Sequence, residues 1–493
     1  MTLRISLVLS LLLATPAFAQ PASKQPAPKQ PAPKQPAPAT AAAPGAPAAA
    51  PAAGPGVATD DPAGFDRDLD QLFATGGLTS DQAASRAAKA SLAVLRRAAE
   101  LDAAVAQSDA AELARVPQLR GTASYTRLSY IKPFVFTIPG VGTLPILSLQ
   151  NSYLTEAQAV VPLSDYVLRF PKTIDAARLA AESARINHRA SEVSAGQDAR
   201  VAYYEWVRAS LQVLVTKRQL LQVQKTLEQV RALAEVQRLS KADLLRVESQ
   251  EADNERVVDQ AQNIARLREE QLRLLIGASS EPLTIGEDIR GEFAAGATGG
   301  LDDLVGTAKQ NRLEFKSIDT GIQAKESQRA AEKANLYPRL SAVGTVDYAD
   351  PNQRVFPQVD EFKFTWQVGA QLTWTLNDML VSRTTDRRLT AEANELRADR
   401  ANLELNTRIE VLSAQQAVEI AQHTLVSSQK GLAAAEESYR VRKELLAADR
   451  ATAVELVDAE TELTQSRIVA LNARVDLRLA KSQLDHALGN DTK

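Results

Sequence analysis

The chain has 493 residues, no cysteine, 57 basic and 60 acidic side chains, and only 5% aromatics. Without cysteine there is no disulfide framework and no thiolate zinc site, and the near balance of charge removes the basic footprint of a nucleic-acid binder. The Ala-, Leu-, Glu- and Arg-rich long segments point to a mostly helical protein with small-residue packing.

Residues 1–19 read as a secretory signal. Arg4 supplies the positive start, Ile5 to Leu13 the short apolar run, and Ala17-Phe18-Ala19 a cleavage site, so Gln20 is expected to open the mature chain. No cysteine follows that site to carry a lipid anchor, and no later apolar run is long enough for a transmembrane helix. Residues 20–62 form a Pro/Ala-rich tether, in which Pro26-Ala27-Pro28-Lys29-Gln30 repeats as Pro31-Ala32-Pro33-Lys34-Gln35. Such a segment builds no core and is expected to be extended and polyproline-like.

A first unit spans 63–290. Its opening helix starts at Leu78-Thr79-Ser80-Asp81, capped by Thr79 or Ser80, and is expected to run unbroken to about Arg115, where Pro117 stops the next turn. Strands are expected at about 119–130 and 149–163, separated by an unusually apolar loop, 131–148, that could fold over a barrel mouth. A long helix follows from Pro171 to Val236, then a break at Arg238 to Lys241, then a second helix closed by Gly277. A Gly/Ala linker, 291–300, leads to a second unit, 301–493, with the same order. Its helix 301–336 ends at Pro338, its strands lie near 340–348 and 362–376, and two helices follow, 382–447 and 452–488. One constant offset carries Asp243 to Glu455, Leu244 to Leu456, Glu248 to Glu460 and Gly277 to Gly489. The chain is therefore expected to be an internal duplication, not a solenoid array.

Two periodicities coexist in each unit. Phe362, Phe364, Trp366, Val368, Ala370, Leu372, Trp374 and Leu376 alternate with polar residues. A strand this long with large aromatics on one face matches a barrel wall that meets lipid, Phe364, Trp366 and Trp374 facing outward. Tyr153, Thr155, Ala157, Ala159, Val161 and Leu163 keep the same parity more weakly. Leu456, Ala459, Leu463, Ser466, Ala470, Ala473, Leu477, Ala480, Leu484 and Ala487 form a heptad seam whose small residues permit close helix approach. The matching seam of the first unit is poorer, with Glu251, Asn254 and Arg268 on it. The helix 171–236 is about 100 Å long at ~1.5 Å per residue, close to the summed length of 242–276 and 301–336. The same length match sets 382–447 against 452–488 plus 79–115. Four strands cannot close a membrane barrel, and open edges are not tolerated in lipid, so more than one copy must contribute.

The order of these elements resembles the TolC-like outer-membrane efflux protein family over about 78–489. The residues that carry it include Leu78-Thr79-Ser80-Asp81, Tyr337-Pro338-Arg339-Leu340, Leu239-Ser240-Lys241-Ala242-Asp243-Leu244-Leu245, Ala451-Thr452-Ala453-Val454-Glu455-Leu456, and the endings at 276–277 and 488–489. The resemblance implies a mainly α fold with a membrane β-barrel portion: a long coiled-coil α-barrel plus four strands per protomer, in a homotrimer. It implies an outer-membrane exit duct that extends into the periplasm, for a tripartite efflux or type I secretion system. The implied partners are a periplasmic adaptor (a membrane fusion protein), an inner-membrane RND or ABC transporter, and outer-membrane lipid, with no cofactor. At the tips, Ser240 and Thr452 match the family's docking pattern, while Gln237 and Asp449 stand where the family carries glycine. Glu455 and Asp458 match acidic gate positions, three-fold rings of which would favour cations. Asp243 is a weaker candidate for the bonds that hold the tip shut, with Arg450 or Arg246 as alternative latch residues.

Catalysis has little support. His188, His423 and His486 are scattered on helices with no metal-ligand spacing, and no phosphate loop or nucleophile elbow occurs. The alternatives to a channel are a periplasmic adaptor, or a structural coiled-coil spacer without channel activity.

Overall fold

The computed structural model describes residues 62–492 apart from 133, 141, 147–148, 238, 279–280, 292–298, 357 and 449. The expected signal, nearly all of the tether and most of the 291–300 linker lie outside the described residues. In chain order the elements are α1 (Pro62–Leu72), β1 (Phe73–Leu78), α2 (Ser80–Ala90), α3 (Leu92–Leu113), β2 (Gln118–Arg127), β3 (Phe134–Ile138), β4 (Gly142–Ile146) and β5 (Asn151–Val161). There follow α4 (Leu163–Leu168), α5 (Phe170–Glu235), α6 (Lys241–Ile276), α7 (Leu301–Asn311), α8 (Leu313–Lys333), β6 (Arg339–Asp350), β7 (Lys363–Thr373), α9 (Leu376–Ala447) and α10 (Ala453–Ala487).

Thr79 caps α2 in a reciprocal box. Its hydroxyl accepts from the Gln82 N–H, and the Gln82 side chain accepts from the Thr79 N–H, both at 3.3 Å. The single helix expected over 79–115 is in fact two, broken at Ser91, where ψ is 126°. The expected 301–336 helix breaks in the same way at Arg312, where ψ is 130°. Each break receives the glycine that ends a returning helix. Gly277 (φ 68°) lies so near α2 that a Cβ there would stand 2.7 Å from the Ala90 Cβ. Gly489 (φ 69°) would bring one to 2.9 Å from the Arg312 nitrogen. Both glycines thus supply a left-handed turn and a close approach at once.

The four-stranded sheet runs β2-β5-β6-β7, antiparallel throughout. Its strands end slightly earlier than the alternation implied. Leu163 opens α4, and Leu376 opens α9 directly after the extended Thr375, so α9 starts six residues before the expected Ser382. The apolar segment 131–148 is not a plain loop: it holds the hairpin β3–β4, paired from Phe134↔Ile146 to Ile138↔Gly142.

The helices sort by length as expected around α5, which carries both α6 and α8 along it. The corresponding expectation for α9 holds only for α10. α2 and α3 lie chiefly on α5, and α9 takes α8 as its second neighbour. The 452–488 seam is buried almost throughout, from Leu456 to Ala487, with Ser466 half-buried. The poorer first seam buries Val247, Asn254, Val258, Ala261 and Leu272. Ion pairs Asp319–Arg400, Lys325–Glu392 and Arg329–Asp386, at 2.6–2.7 Å, run between α8 and α9. Being half exposed, they fix register more than they stabilise. At mid-length, Tyr203, Trp206, Val207 and Leu211 of α5 form the largest core with Leu78, Ala83, Ala87, Leu272, Ile276, Ile285 and Ile289.

Candidate membrane face and helix tip

Strand register joins the expected alternation into one continuous face. Leu119, Gly121, Ala123 and Tyr125 of β2 stand opposite Ala159, Ala157, Thr155 and Tyr153 of β5. Ala159, Ala157 and Thr155 in turn meet Gly344, Val346 and Tyr348 of β6, which meet Val368, Trp366 and Phe364 of β7. Directly opposed residues share a face, so this face is almost wholly apolar. The other carries Arg120, Thr122, Ser124, Gln158, Glu156, Thr345, Asp347, Gln367 and Thr365. Phe364, Trp366 and Val368 are 63%, 64% and 76% exposed, a patch that water-soluble monomers rarely present. Trp374 lies just beyond the end of β7, toward the helices, and is also exposed.

Aromatic side chains collect at the loop end of the sheet. Tyr125 and Tyr153 lie 4.9 Å apart between ring centres, and Phe362 stacks on Tyr348 at 5.0 Å. The span from Phe364 to Trp374 is about 33 Å along the strand at ~3.3 Å per residue, or about 23 Å in height at a ~45° tilt. That height matches the ~25 Å apolar band of membrane barrels, and aromatic girdles belong at its two borders. β2 and β7 each pair on one side only, leaving two open edges.

At the opposite end, Ser240 and Thr452 are helix N-caps. The Ser240 hydroxyl accepts from the Asp243 N–H (3.1 Å), and the Thr452 hydroxyl from the Glu455 N–H (3.2 Å). Asp243 also takes a 2.6 Å hydrogen bond from the Ser240 hydroxyl, so its described bonds are local and do not link two helices. Glu455 pairs with Arg442 at 2.7 Å. Asp458 shares its exposed helix face and has no ion-pair partner among the described residues. Gln237 adopts φ 55°, the left-handed turn for which the family pattern carries glycine. Asp449, its counterpart in the second tip, lies outside the described residues.

A polar tie between the two helical hairpins escaped the sequence. The Gln222 amide donates to the Tyr439 hydroxyl (2.9 Å), and the Thr226 hydroxyl donates to Glu460 Oε1 (3.0 Å). Tyr439 and Glu460 are buried, so α5 is fastened to α9 and α10 from inside. The only trace in the sequence is an acid, Glu460, beside an apolar seam. Near mid-length, a second buried cluster closes the chain end on the Arg312 break. His486 Nδ1 lies 2.8 Å from Asp491, and Arg312 bonds Glu410 at 2.6 Å. Burial works against a charge on His486, but the Asp491 carboxylate outweighs it and raises the pKa. Close by, Tyr204 is pushed up to about 12, by burial first and then by the charge of Glu287.

Residues 304–490 match the sequence profile of the outer membrane efflux protein family. That match runs from within α7 to just past the end of α10. Solved structures of similar fold include VceC from Vibrio cholerae, at 16% identity and a TM-score of 0.66, covering 87% of this chain and 96% of that one. The Campylobacter jejuni outer membrane channel CmeC aligns at 13% identity and a TM-score of 0.67, covering 87% of both chains. The open state of the Neisseria gonorrhoeae outer membrane channel MtrE aligns at 16% and 0.65, covering 86% of this chain and 93% of that one. Among curated proteins none matches in sequence. The chain is an outer-membrane exit duct that extends into the periplasm. No described helix is long and apolar enough to cross a membrane, so the apolar face of the sheet is the part suited to lipid.

Proposed function

We propose that three copies of this exit duct close one twelve-stranded barrel, β2 of each copy pairing with β7 of the next. The observation that carries this is the pairing of an exposed, apolar sheet face with two open edges. Lipid accepts the first only if neighbouring copies satisfy the second. Unpartnered apolar stripes on the helices support the same assembly: Leu405, Ile409, Leu412, Ile420 and Val426 on α9, and Ile264, Leu267 and Leu274 on α6, are all exposed. The three- and four-residue steps from Leu405 to Ile409 to Leu412, and from Ile264 to Leu267, suit helix-to-helix packing between copies.

The recurring order of helix pair, strands, long helix and half-length helix supports a duplicated unit, 63–290 and 301–493. Within the periplasm, the proposed partners are an adaptor gripping the tips near Ser240 and Thr452 and an RND or ABC pump in the inner membrane. Cargo is whatever that pump delivers. Glu455 and Asp458 are the proposed acidic gate; the Arg442 ion pair favours a second reading in which Glu455 is simply a solvated partner. Purified protein in a planar lipid bilayer should conduct ions in discrete steps. A silent bilayer, from protein shown to be inserted, would leave the coiled-coil spacer as the better account.

A further inference from the structure

We infer that the outer end of the sheet holds a phosphorylated lipid of the outer leaflet, with its anionic headgroup on Arg127 and an acyl chain in the groove beneath. The inference rests on the barrel reading above and adds a specific ligand to its lipid-facing wall.

The apolar face is nearly free of charge. By register it takes the odd positions of β2 and β5 and the even positions of β6 and β7. Two of these positions carry charge, Arg127 and Asp350, both at the outer end of their strands. Asp350 is buried, whereas Arg127 is exposed. The acceptors that hold the guanidinium are neutral: Nη1 donates to Asn151 Oδ1 (2.7 Å) and Nη2 to Gln150 Oε1 (3.0 Å). Asn151 Oδ1 also accepts from the Tyr125 hydroxyl (3.2 Å). These bonds orient the fork without neutralising it. They use two of the N–H groups, and the rest of a guanidinium's five have no acceptor among the described residues. Lys132, exposed in the loop just beyond, adds a second positive charge. A guanidinium fork of this kind meets phosphate through parallel N–H bonds.

What lies inward of the charge selects a lipid over a free anion. Tyr125, Tyr153, Phe362 and Tyr348 follow one another across the sheet, with ring centres 4.9, 5.8 and 5.0 Å apart. Rings at that level mark the headgroup border. Below them the apolar face is hollowed into an open groove of about 750 Å³, floored by Gly121, Ala157, Ala159 and Gly344 between Leu119 and Trp366. From Gly121 to Arg127 is about 20 Å along the strand, or about 14 Å in height at a ~45° tilt. A headgroup on Arg127 therefore sends its chain over the rings and down into the groove. A free anion would leave the groove empty, and an uncharged lipid would leave the guanidinium unanswered. An amphiphile with an anionic head satisfies both.

The test is native mass spectrometry of the full-length assembled channel in a non-ionic detergent, titrated with diphosphoryl lipid A as the probe. Bound lipid A is expected, and Arg127→Gln should weaken it roughly tenfold to a hundredfold, the worth of hydrogen bonds to a charged group. Gly121→Leu leaves the charge alone and fills the groove; a Cβ there meets nothing within 4 Å. It should weaken binding as well, and it carries the test if Arg127→Gln does not assemble. Excess inorganic phosphate should leave the lipid in place. An assembled channel that binds no lipid A, or binds it equally in all three forms, overturns the site and leaves the barrel standing. Displacement by inorganic phosphate overturns the acyl groove and with it the lipid. If Arg127→Gln falls apart into subunits while Gly121→Leu binds lipid A like the native chain, Arg127 serves a neighbouring copy and the site is overturned. Native protein that yields monomers alone overturns the barrel reading too.

Discussion

Gly277→Ala puts two separable costs on one atom. At φ 68° the backbone is left-handed, which costs a residue with a Cβ roughly 1–2 kcal/mol. The new Cβ would also lie 2.7 Å from the Ala90 Cβ, where α2 ends; forcing a methyl into such a contact costs roughly 1–3 kcal/mol. The sum is about 2–5 kcal/mol. Ala90→Gly in the same chain removes the contact but not the backbone strain, at roughly 0.5–1 kcal/mol of its own for glycine in a helix. Urea unfolding in detergent, followed by Trp206 in the adjoining core, should therefore give a double variant less destabilised than the two single changes added. Effects that add within ~0.3–0.5 kcal/mol, the behaviour of uncoupled sites, would refute the idea that α6 seats its terminal glycine against the α2 break. A neutral Gly277→Ala would refute the left-handed turn as well.

Gln237 holds the same kind of turn without being glycine, so Gln237→Gly should stabilise the first tip by about 1 kcal/mol, read as greater amide protection across 234–244; weaker protection would contradict it. Val368→Arg should block membrane assembly, since arginine near mid-bilayer costs roughly 2–4 kcal/mol per copy, whereas Trp374→Arg, near the interface, should cost only ~0–1 kcal/mol; equal yields of heat-modifiable assembled protein would contradict that depth assignment. His486 has a raised pKa in the folded chain, so the folded form binds the extra proton. Its contribution is full below the unfolded value of ~6.5 and is lost as pH rises through the folded pKa. The unfolding midpoint should fall over that range, and His486→Gln should flatten the curve; an unchanged slope would remove the His486–Asp491 pair as its source.

Patterns set by period were legible in the sequence, and contacts set by approach were not. Alternation from Phe362 onward found β7 and its outward face, because a strand exposes every second residue whatever it touches. The Leu/Ala heptads found α10 for the same reason. Neither period reveals a break such as Ser91 or Arg312, where no proline or glycine stands. The break is imposed by Gly277 or Gly489 arriving from more than a hundred residues away. The hairpin in 131–148 was hidden because its residues are apolar on both faces, which erases the alternation that marks a strand. The Glu460 tie was hidden because an acid next to a seam has the same spacing whether it faces water or a buried threonine.

Comparing the two tips also sharpens the proposed gate. Ser240–Asp243 and Thr452–Glu455 are equivalent caps, in each of which the backbone N–H of the acid at the third helical position donates to the cap hydroxyl. Glu455 has in addition the Arg442 guanidinium at 2.7 Å. Seen from the lumen, that pair is close to neutral, and its field falls off faster than that of a lone charge. Asp458 has no cap to make and no described counter-ion, so it contributes a full negative charge per copy. On the proposed three-copy reading, three such charges in a narrow aqueous throat would set the preference for cations. Asp458→Asn should therefore lower cation over anion permeability in bilayer recordings more than Glu455→Gln does. The difference should shrink in high salt, where the screening length drops from ~10 Å at 0.1 M to ~3 Å at 1 M. If Glu455→Gln has the larger effect, the Arg442 pair is broken in the assembled channel and both carboxylates face the lumen as rings.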